Sequence, residues 1–192
     1  MRRLTIPLLI ILLLLAGVIG YSTRTGEVIK LRQQIELVEK QQSQPGVTDS
    51  PMDTVALFFV NNSKNSLTLK PVIVEIPRCS GAAKWKAVLE ALFKGPPESS
   101  ELLSIFPEGT KAISIEVKNG LATVNLNQQA TMVNVGSEGE ALAVASIVNT
   151  LTKLPEIFEV KILIEGEEVE SLAGHVDLSE TFRYNSQLVS FE

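Results

Sequence analysis

The chain has little of the chemistry that most enzymes and metalloproteins need. Among its 192 residues there is one cysteine, Cys79, one histidine, His175, and one tryptophan, Trp85. A single cysteine excludes an intrachain disulfide, so we expect Cys79 to be buried or merely tolerated, with an intermolecular disulfide as the open alternative. One histidine and one cysteine cannot supply the three or four such ligands that a protein zinc site requires. The sequence therefore predicts a domain stabilised by its own apolar core.

Basic residues are also scarce outside the N-terminal part of the chain. The formal net charge is −5, and residues 43–192 contain 11 basic and 19 acidic residues. Nucleic-acid binding depends on Lys and Arg side chains that replace the counterions of the phosphates. The charge balance therefore excludes nucleic acid as a partner.

The most distinctive feature present is an apolar run directly after Arg2 and Arg3. Residues 4–21, LTIPLLIILLLLAGVIGY, carry no charge. As a helix rising about 1.5 Å per residue they reach roughly 27 Å, close to the hydrocarbon thickness of about 30 Å. The two arginines indicate a cytoplasmic N-terminus. We therefore predict a single-pass membrane helix at residues 1–22, with the rest of the chain on the outer side.

The same pattern also occurs in cleaved secretory signals, and that alternative stays open. Cleavage prefers small residues in an A-x-A-like arrangement, which residues 16–22 do not match well. Leu15-Ala16-Gly17 resembles the start of a bacterial lipoprotein box, but Val18 occupies the position of the cysteine that would carry the lipid. Lipidation is therefore excluded at this site. We predict an uncleaved signal anchor, and a secreted domain if the segment is cleaved.

Composition divides the rest of the chain into a stalk, a linker, a domain and a tail. Residues 23–42 predict an amphipathic helical stalk, because Val28, Leu31, Ile35 and Val38 follow each other at helical spacing. The stalk either pairs weakly with another copy or docks on its own domain. Residues 43–54 lack periodicity and predict a linker. The globular domain is predicted at 55–185 and a tail at 186–192.

Hydrophobic periodicity predicts the order β-β-α-β-β-α-β within this domain. Strands are expected at 55–60 and 67–76, the second with Pro71 at an edge or a bulge. A helix over 83–94 presents one apolar face and ends at Gly95-Pro96-Pro97. The fold class is therefore α+β, with two helices packed on one mostly antiparallel sheet.

The second half of the domain contains the clearest local signals. AISIEVK alternates Ile113, Ile115 and Val117 with polar residues, and Asn119-Gly120 predicts a type I′ hairpin turn before LATVNLN. Ser137 and Glu140 match a capping box that opens a helix over 141–154. A final strand is expected in EVKILIEGEEV, residues 159–169, with alternate residues facing inward.

Candidate catalytic residues are few. His175 and Asp177 are two residues apart, but no G-x-S-x-G elbow is present, so His175 is interpreted as an exposed or hydrogen-bonded loop residue. Two carboxylate clusters are candidate pairs for glycoside hydrolysis: Glu138 with Glu140, and Glu165 with Glu167, Glu168 and Glu170. The first is interpreted as a helix cap and the second as a solvated turn. We therefore predict no catalytic, cofactor or metal site, and no enzyme.

Several segments in order resemble the GerM-type sporulation and spore germination domain. The similar segments are LFKGPP (92–97), IFPEGT (105–110), IEVKNGLATVN (115–125), the helix at 138–154 and VKILIEG (160–166). The resemblance covers roughly residues 55–185. It implies an exported, membrane-tethered domain that is not known as an enzyme, similar to ring-forming modules of secretion-like machines. In endospore formers it implies an assembly that joins the membranes of mother cell and forespore.

The leading hypothesis is a membrane-anchored extracytoplasmic scaffold or assembly protein of sporulation or spore germination. Its expected partners are envelope proteins, with self-association and proximity to peptidoglycan as open alternatives. The alternative function is a binding module for a cell-wall glycan or a small ligand, which requires a groove with exposed aromatic side chains around Trp85.

Overall fold

A computed structural model describes residues 52–63, 66–133 and 136–190. The predicted anchor at 1–22, the predicted stalk at 23–42 and most of the predicted linker lie outside these residues. In the part of the chain that is described, no helix is long and apolar enough to cross a bilayer.

The described elements follow the predicted order β-β-α-β-β-α-β, and the α+β class is confirmed. The strands are β1 (Met52–Ser63), β2 (Ser66–Pro77), β3 (Ala112–Lys118), β4 (Leu121–Leu126) and β5 (Glu159–Ile164), and the helices are α1 (Ala82–Lys94) and α2 (Gly136–Leu151). Two short 3₁₀ helices occupy Gln128–Met132 and Ser186–Leu188. Strand β1 begins at Met52, so the last three residues of the predicted linker 43–54 belong to the strand.

The strands form two sheets instead of the single sheet predicted. β1 and β2 make an antiparallel pair, and β3, β4 and β5 make a separate sheet in that order. β3 pairs antiparallel with β4, whereas β4 pairs parallel with β5. The prediction missed the parallel pair, although parallel neighbours need a crossover connection and helix α2 is the element between β4 and β5.

The predicted turn of the β3–β4 hairpin is confirmed, but the predicted inward position of Ile113 is wrong. Asn119 and Gly120 both have positive φ, 53° and 85°, as a type I′ turn requires. Ile113, expected to alternate inward with Ile115, is instead 46% exposed. The register shifts between Ala112 and Ser114, so a β-bulge inserts Ile113 as an extra residue and turns it outward.

Helix α2 is the central element of the core. Nearly every residue from Gly139 to Leu151 is buried, so this Ala- and Val-rich helix packs deeply. It shares one large apolar cluster with β1, α1 and the three-stranded sheet. The helix spans Gly136–Leu151, so the predicted range of 141–154 was displaced toward the C-terminus.

A second apolar cluster lies on the opposite face of the β1–β2 hairpin. Phe58, Val60 and Leu69 pack there against α2 and against residues 182–190, which we call the C-terminal strap. The strap runs between the two sheets, because Phe182 pairs with Val160 in β5 and Val189 pairs with Leu69 in β2. Residues 186–190, which the sequence assigned to a tail, therefore belong to the packed domain.

Candidate functional site

The two members of the first carboxylate cluster have different environments. Glu138 is exposed in the first turn of α2, whereas Glu140 is fully buried. The Glu140 side chain accepts backbone N–H groups from the loop after β5: Leu172 at 3.0 Å, Ala173 at 2.8 Å and His175 at 2.8 Å. The predicted capping box is therefore wrong, because Glu140 holds a distant loop and does not reach back to the start of its own helix.

The hydrogen bonds decide the charge state of Glu140. Burial by itself raises the pKa of this carboxyl, but backbone N–H donors from Ala173, Val176, His175 and Leu172 outweigh it and hold the pKa below its usual range. Glu140 is thus an ionised side chain inside the domain, stabilised by oriented peptide dipoles. Sequence reasoning missed this role, although Glu140 is the last charged residue before a long uncharged stretch of helix.

The predicted pair of His175 and Asp177 lies on the loop that Glu140 holds. Both side chains are exposed, and together with Glu170, Ser171 and Ser179 they line an open depression of about 490 Å³. Hydrogen bonds from Ser179 hold the pKa of Asp177 below its usual range. Within residues 136–190, no hydrogen bond joins the His175 imidazole to a serine or a carboxylate. The interpretation of His175 as an exposed loop residue is confirmed.

The second carboxylate cluster is dispersed around the turn after β5. Glu165 has a positive φ of 51° and accepts the Gln128 N–H at 2.8 Å. Glu168 pairs with Lys161 at 3.2 Å. Among the described residues, no group of three or more His, Cys, Asp and Glu side chains is arranged to hold a metal ion. These carboxylates organise a turn and do not converge on one point.

Cys79 and Trp85 both make contacts within the domain. The half-buried Cys79 thiol donates to the Pro77 carbonyl at 3.2 Å. Trp85 packs against the main core, and its indole N–H donates to Glu156 at 2.7 Å. Trp85 therefore does not form the exposed aromatic platform that the glycan-binding alternative requires.

Two further concave surfaces lie elsewhere on the domain. One is a small apolar groove of about 150 Å³ between α2 and the C-terminal strap. The other is a depression of about 390 Å³ on the open face of the three-stranded sheet, where Glu116 and Lys118 form an ion pair at 2.8 Å. Neither contains a set of side chains arranged for acid–base or nucleophilic chemistry.

The two outer edges of the β1–β2 hairpin differ in how far other residues cover their backbone hydrogen-bonding groups. On the β1 side, Thr150 accepts the Phe58 N–H at 3.1 Å and Ser146 donates to the Phe58 carbonyl at 2.7 Å. Val60 exchanges both backbone hydrogen bonds with Leu103. Side chains of α2 and the loop residue Leu103 thus cover part of the β1 edge. Among the described residues, the β2 edge is covered only where the strap meets Leu69.

Fold and site together define a small α+β domain in which the candidate carboxylates hold loops and turns in place. The family described as "Sporulation and spore germination" (Germane) matches residues 56–170, which is more than half of the chain. The chain belongs to this family. The resemblance inferred from the sequence is confirmed.

Individual relatives agree with this assignment. The structure of the tandem GerMN domains of the sporulation protein GerM from Bacillus subtilis is similar with a TM-score of 0.61 and 27% identity, over 77% of this chain and 51% of that chain. A putative lipoprotein from Clostridium perfringens is similar with a TM-score of 0.51 and 29% identity, over 69% of this chain and 87% of that chain. Lipoprotein LpqB from Thermobifida fusca is 29% identical over 121 residues, and the match spans only 18% of that protein.

Proposed function

We propose that this protein is a membrane-anchored, extracytoplasmic, non-enzymatic scaffold or assembly protein that acts in sporulation or spore germination. The observation that carries the proposal is the family match over residues 56–170. The names of the relatives support it, because two are lipoproteins and one is a sporulation protein. In this chain the apolar run at residues 4–21 takes the place of a lipid anchor.

The contacts of the candidate residues also support a role without chemistry. Glu140 accepts hydrogen bonds from a loop, and Glu165 accepts one from the Gln128 N–H. The Trp85 indole N–H donates to Glu156. A catalytic site needs titratable groups that face one another across a cleft. A domain whose carboxylates serve its own backbone is better suited to presenting a surface to another protein.

Complementation in the host tests both parts of the proposal. A strain lacking the gene receives the full chain, or the chain with residues 4–21 replaced by an unrelated membrane helix, or the chain without residues 1–22. We expect the first two to restore heat-resistant, germinating spores and the third to fail, because the domain would remain in the cytoplasm. Restoration by the chain without residues 1–22 would contradict the predicted location.

A fourth allele tests the non-enzymatic role. It combines His175→Ala with Glu165→Gln and Glu167→Gln, which change the exposed titratable side chains of the loop and turn after β5. We expect full complementation, because these groups make no converging site. Loss of spores at an unchanged envelope level of the variant would contradict the proposal and favour an enzyme.

A further inference from the structure

The backbone of the β1–β2 hairpin shows which residues of β2 offer free hydrogen-bonding groups. In an antiparallel ladder, opposite residues point their N–H and C=O groups either toward each other or both away. Val60 and Leu69 are opposite, and both point away: Val60 bonds to Leu103, and the Leu69 carbonyl accepts the Ser190 N–H at 2.8 Å. Phe58, opposite Pro71, also points away, toward Ser146 and Thr150.

Because the direction alternates along a strand, Pro71, Ile73 and Glu75 also face outward on β2. Pro71 has no N–H, so its position on this edge leaves the pairing with β1 intact. Among the described residues, the free donors on this stretch of edge are therefore the N–H groups of Ile73 and Glu75. The free acceptors are the carbonyls of Pro71, Ile73 and Glu75.

Ile73 is also the most exposed large apolar side chain in the part of the chain that is described, at 69%. Val189 and Ser190 cover the edge on one side, at Leu69, and β2 ends on the other side at Pro77. The free edge is thus a short, bounded window with one apolar residue at its centre. Natural edge strands are usually protected against pairing, and here the two prolines restrict pairing to this window.

We propose that a second copy of this chain pairs with the window, antiparallel, across a two-fold axis at Ile73. Each Ile73 N–H then donates to the Ile73 carbonyl of the other copy, and each Glu75 N–H donates to a Pro71 carbonyl. The two hairpins form one continuous sheet through an isologous contact.

The side chains favour a copy of the chain in this register. Ile73 lies opposite Ile73 and Val72 lies opposite Val74, so the cross-strand pairs at the centre are apolar. A shift that centres the axis on Glu75 places two carboxylates opposite each other, which is unfavourable. The contact is short and weak by itself, and it gains strength where two chains share a membrane, since tethering raises their effective concentration.

The pairing makes a second copy of the chain a partner within the proposed scaffold. Its role in the cell, but not the pairing itself, rests on the proposed function. The pairing itself is a property of the chain and needs no envelope component. The two can fail separately, because the complementation alleles above leave the β2 edge unchanged and the following experiment uses only the purified full-length chain.

Cysteine cross-linking of the full-length chain in lipid vesicles tests the register. All variants carry Cys79→Ser, which retains a donor for the Pro77 carbonyl. In the proposed pair the two Ile73 Cα atoms are about 5.5 Å apart, inside the range of about 4.4–6.8 Å that a disulfide spans. The two Glu75 Cα atoms are more than about 13 Å apart, beyond that range. We expect Ile73→Cys to form a covalent dimer on oxidation and Glu75→Cys to stay monomeric.

A non-covalent measurement excludes an effect of the new thiols. Energy transfer between labelled full-length chains in the same vesicles is compared for Ile73→Lys and Ile113→Lys, because Ile113 is also an exposed isoleucine but lies on the bulge of β3. We expect Ile73→Lys to reduce transfer to the level of random mixing and Ile113→Lys to leave it unchanged. Equal transfer in both variants, no cross-link at Ile73, or an equal cross-link at Glu75 would overturn the proposal.

Discussion

At the scale of single residues, Glu140 explains how an ionised side chain is accommodated in this core. A buried carboxylate is unfavourable unless hydrogen bonds replace its hydration. The loop after β5 supplies that replacement from its own backbone, and in return its N–H groups find an acceptor away from water. The geometry therefore fixes both the charge state of Glu140 and the conformation of the loop.

Replacing Glu140 by glutamine should be strongly destabilising. The amide has one acceptor oxygen, and its NH₂ group faces N–H donors, so buried donors lose their partner at about 1–3 kcal/mol each. We expect the free energy of unfolding to fall by about 3 kcal/mol in denaturant titrations. The matched control is Glu138→Gln on the same helix, which is exposed and should change stability by less than about 0.5 kcal/mol. Equal effects of the two substitutions would contradict the assigned role.

The same side chain makes a signed prediction about pH. The folded-state pKa of Glu140 is lowered, so the stabilisation is present above the unfolded pKa of about 4.3 and is lost as pH falls toward the folded pKa. Between about pH 5 and pH 3, the wild-type domain should lose more stability than Glu140→Gln. Lowered pKa values at Asp53, Glu159 and Asp177 act in both proteins and cancel in the comparison. Parallel stability curves would contradict the prediction.

Gly120 is required for two separate reasons that substitution can distinguish. Its φ is +85°, and a Cβ atom there would overlap the ring of Phe158. Gly174 has a φ of +98° but open space around its Cβ position. We expect Gly174→Ala to cost about 1 kcal/mol from backbone strain. Gly120→Ala should cost more, because the Phe158 ring, although 67% exposed, must also move. Thermal unfolding of the two variants measures the difference, and equal losses would show that the ring contact is unimportant.

At the scale of elements, the C-terminal strap joins parts of the domain that the strand order leaves apart. Asn149 in the last turn of α2 is fully buried, donates to the Asn185 carbonyl at 2.9 Å and accepts the Asn185 N–H at 2.8 Å. Tyr184 packs edge-on against Phe58 with the Lys153 ammonium over its ring. One side chain of the helix thus holds the strap in position over the second apolar cluster.

Asn149→Ala should release the strap. It removes both hydrogen bonds to Asn185, and we expect a loss of about 2 kcal/mol and faster hydrogen exchange at the Asn185 amide. Asn62→Ala, at an exposed position of β1, is the control and should leave both quantities unchanged. Unchanged exchange at Asn185 in the Asn149 variant would mean that other contacts hold the strap.

The elements show which parts of the fold are predictable from sequence. Helix α1, the Asn119-Gly120 turn and the alternation of β4 follow from local patterns that tertiary contacts did not override. The bulge at Ile113, the parallel pairing of β5 and the strap depend on partners distant in sequence, so no local pattern could reveal them. Glu140 was misassigned because a capping box and a buried anion can share the same spacing of residues, and only the packed loop distinguishes them.

At the scale of the whole molecule, the predicted topology can be tested with thiol labelling in intact cells. Ser80→Cys in a Cys79→Ser background places an exposed thiol on the globular domain. A cysteine inserted between Met1 and Arg2 in the same background, at position 2 of the altered chain, marks the other side of the apolar run and leaves both arginines in place. If residues 1–22 anchor the chain with its N-terminus in the cytoplasm, a membrane-impermeant maleimide should label position 80 in intact cells and position 2 only after permeabilisation. Labelling of position 2 in intact cells would reverse the topology.

Capture of the full-length chain with its cross-linked neighbours, from growing and from sporulating cells, tests the central claim most directly. The account predicts one or more specific envelope proteins, enriched in the sporulating culture and lost when residues 1–22 are removed. A wall-binding module would instead capture sacculus fragments. In a separate co-sedimentation control, we expect the purified chain to stay in solution when isolated cell wall is pelleted. Recovery of no envelope protein under either condition, or recovery of wall fragments alone, would contradict the scaffold function and favour a wall-binding module.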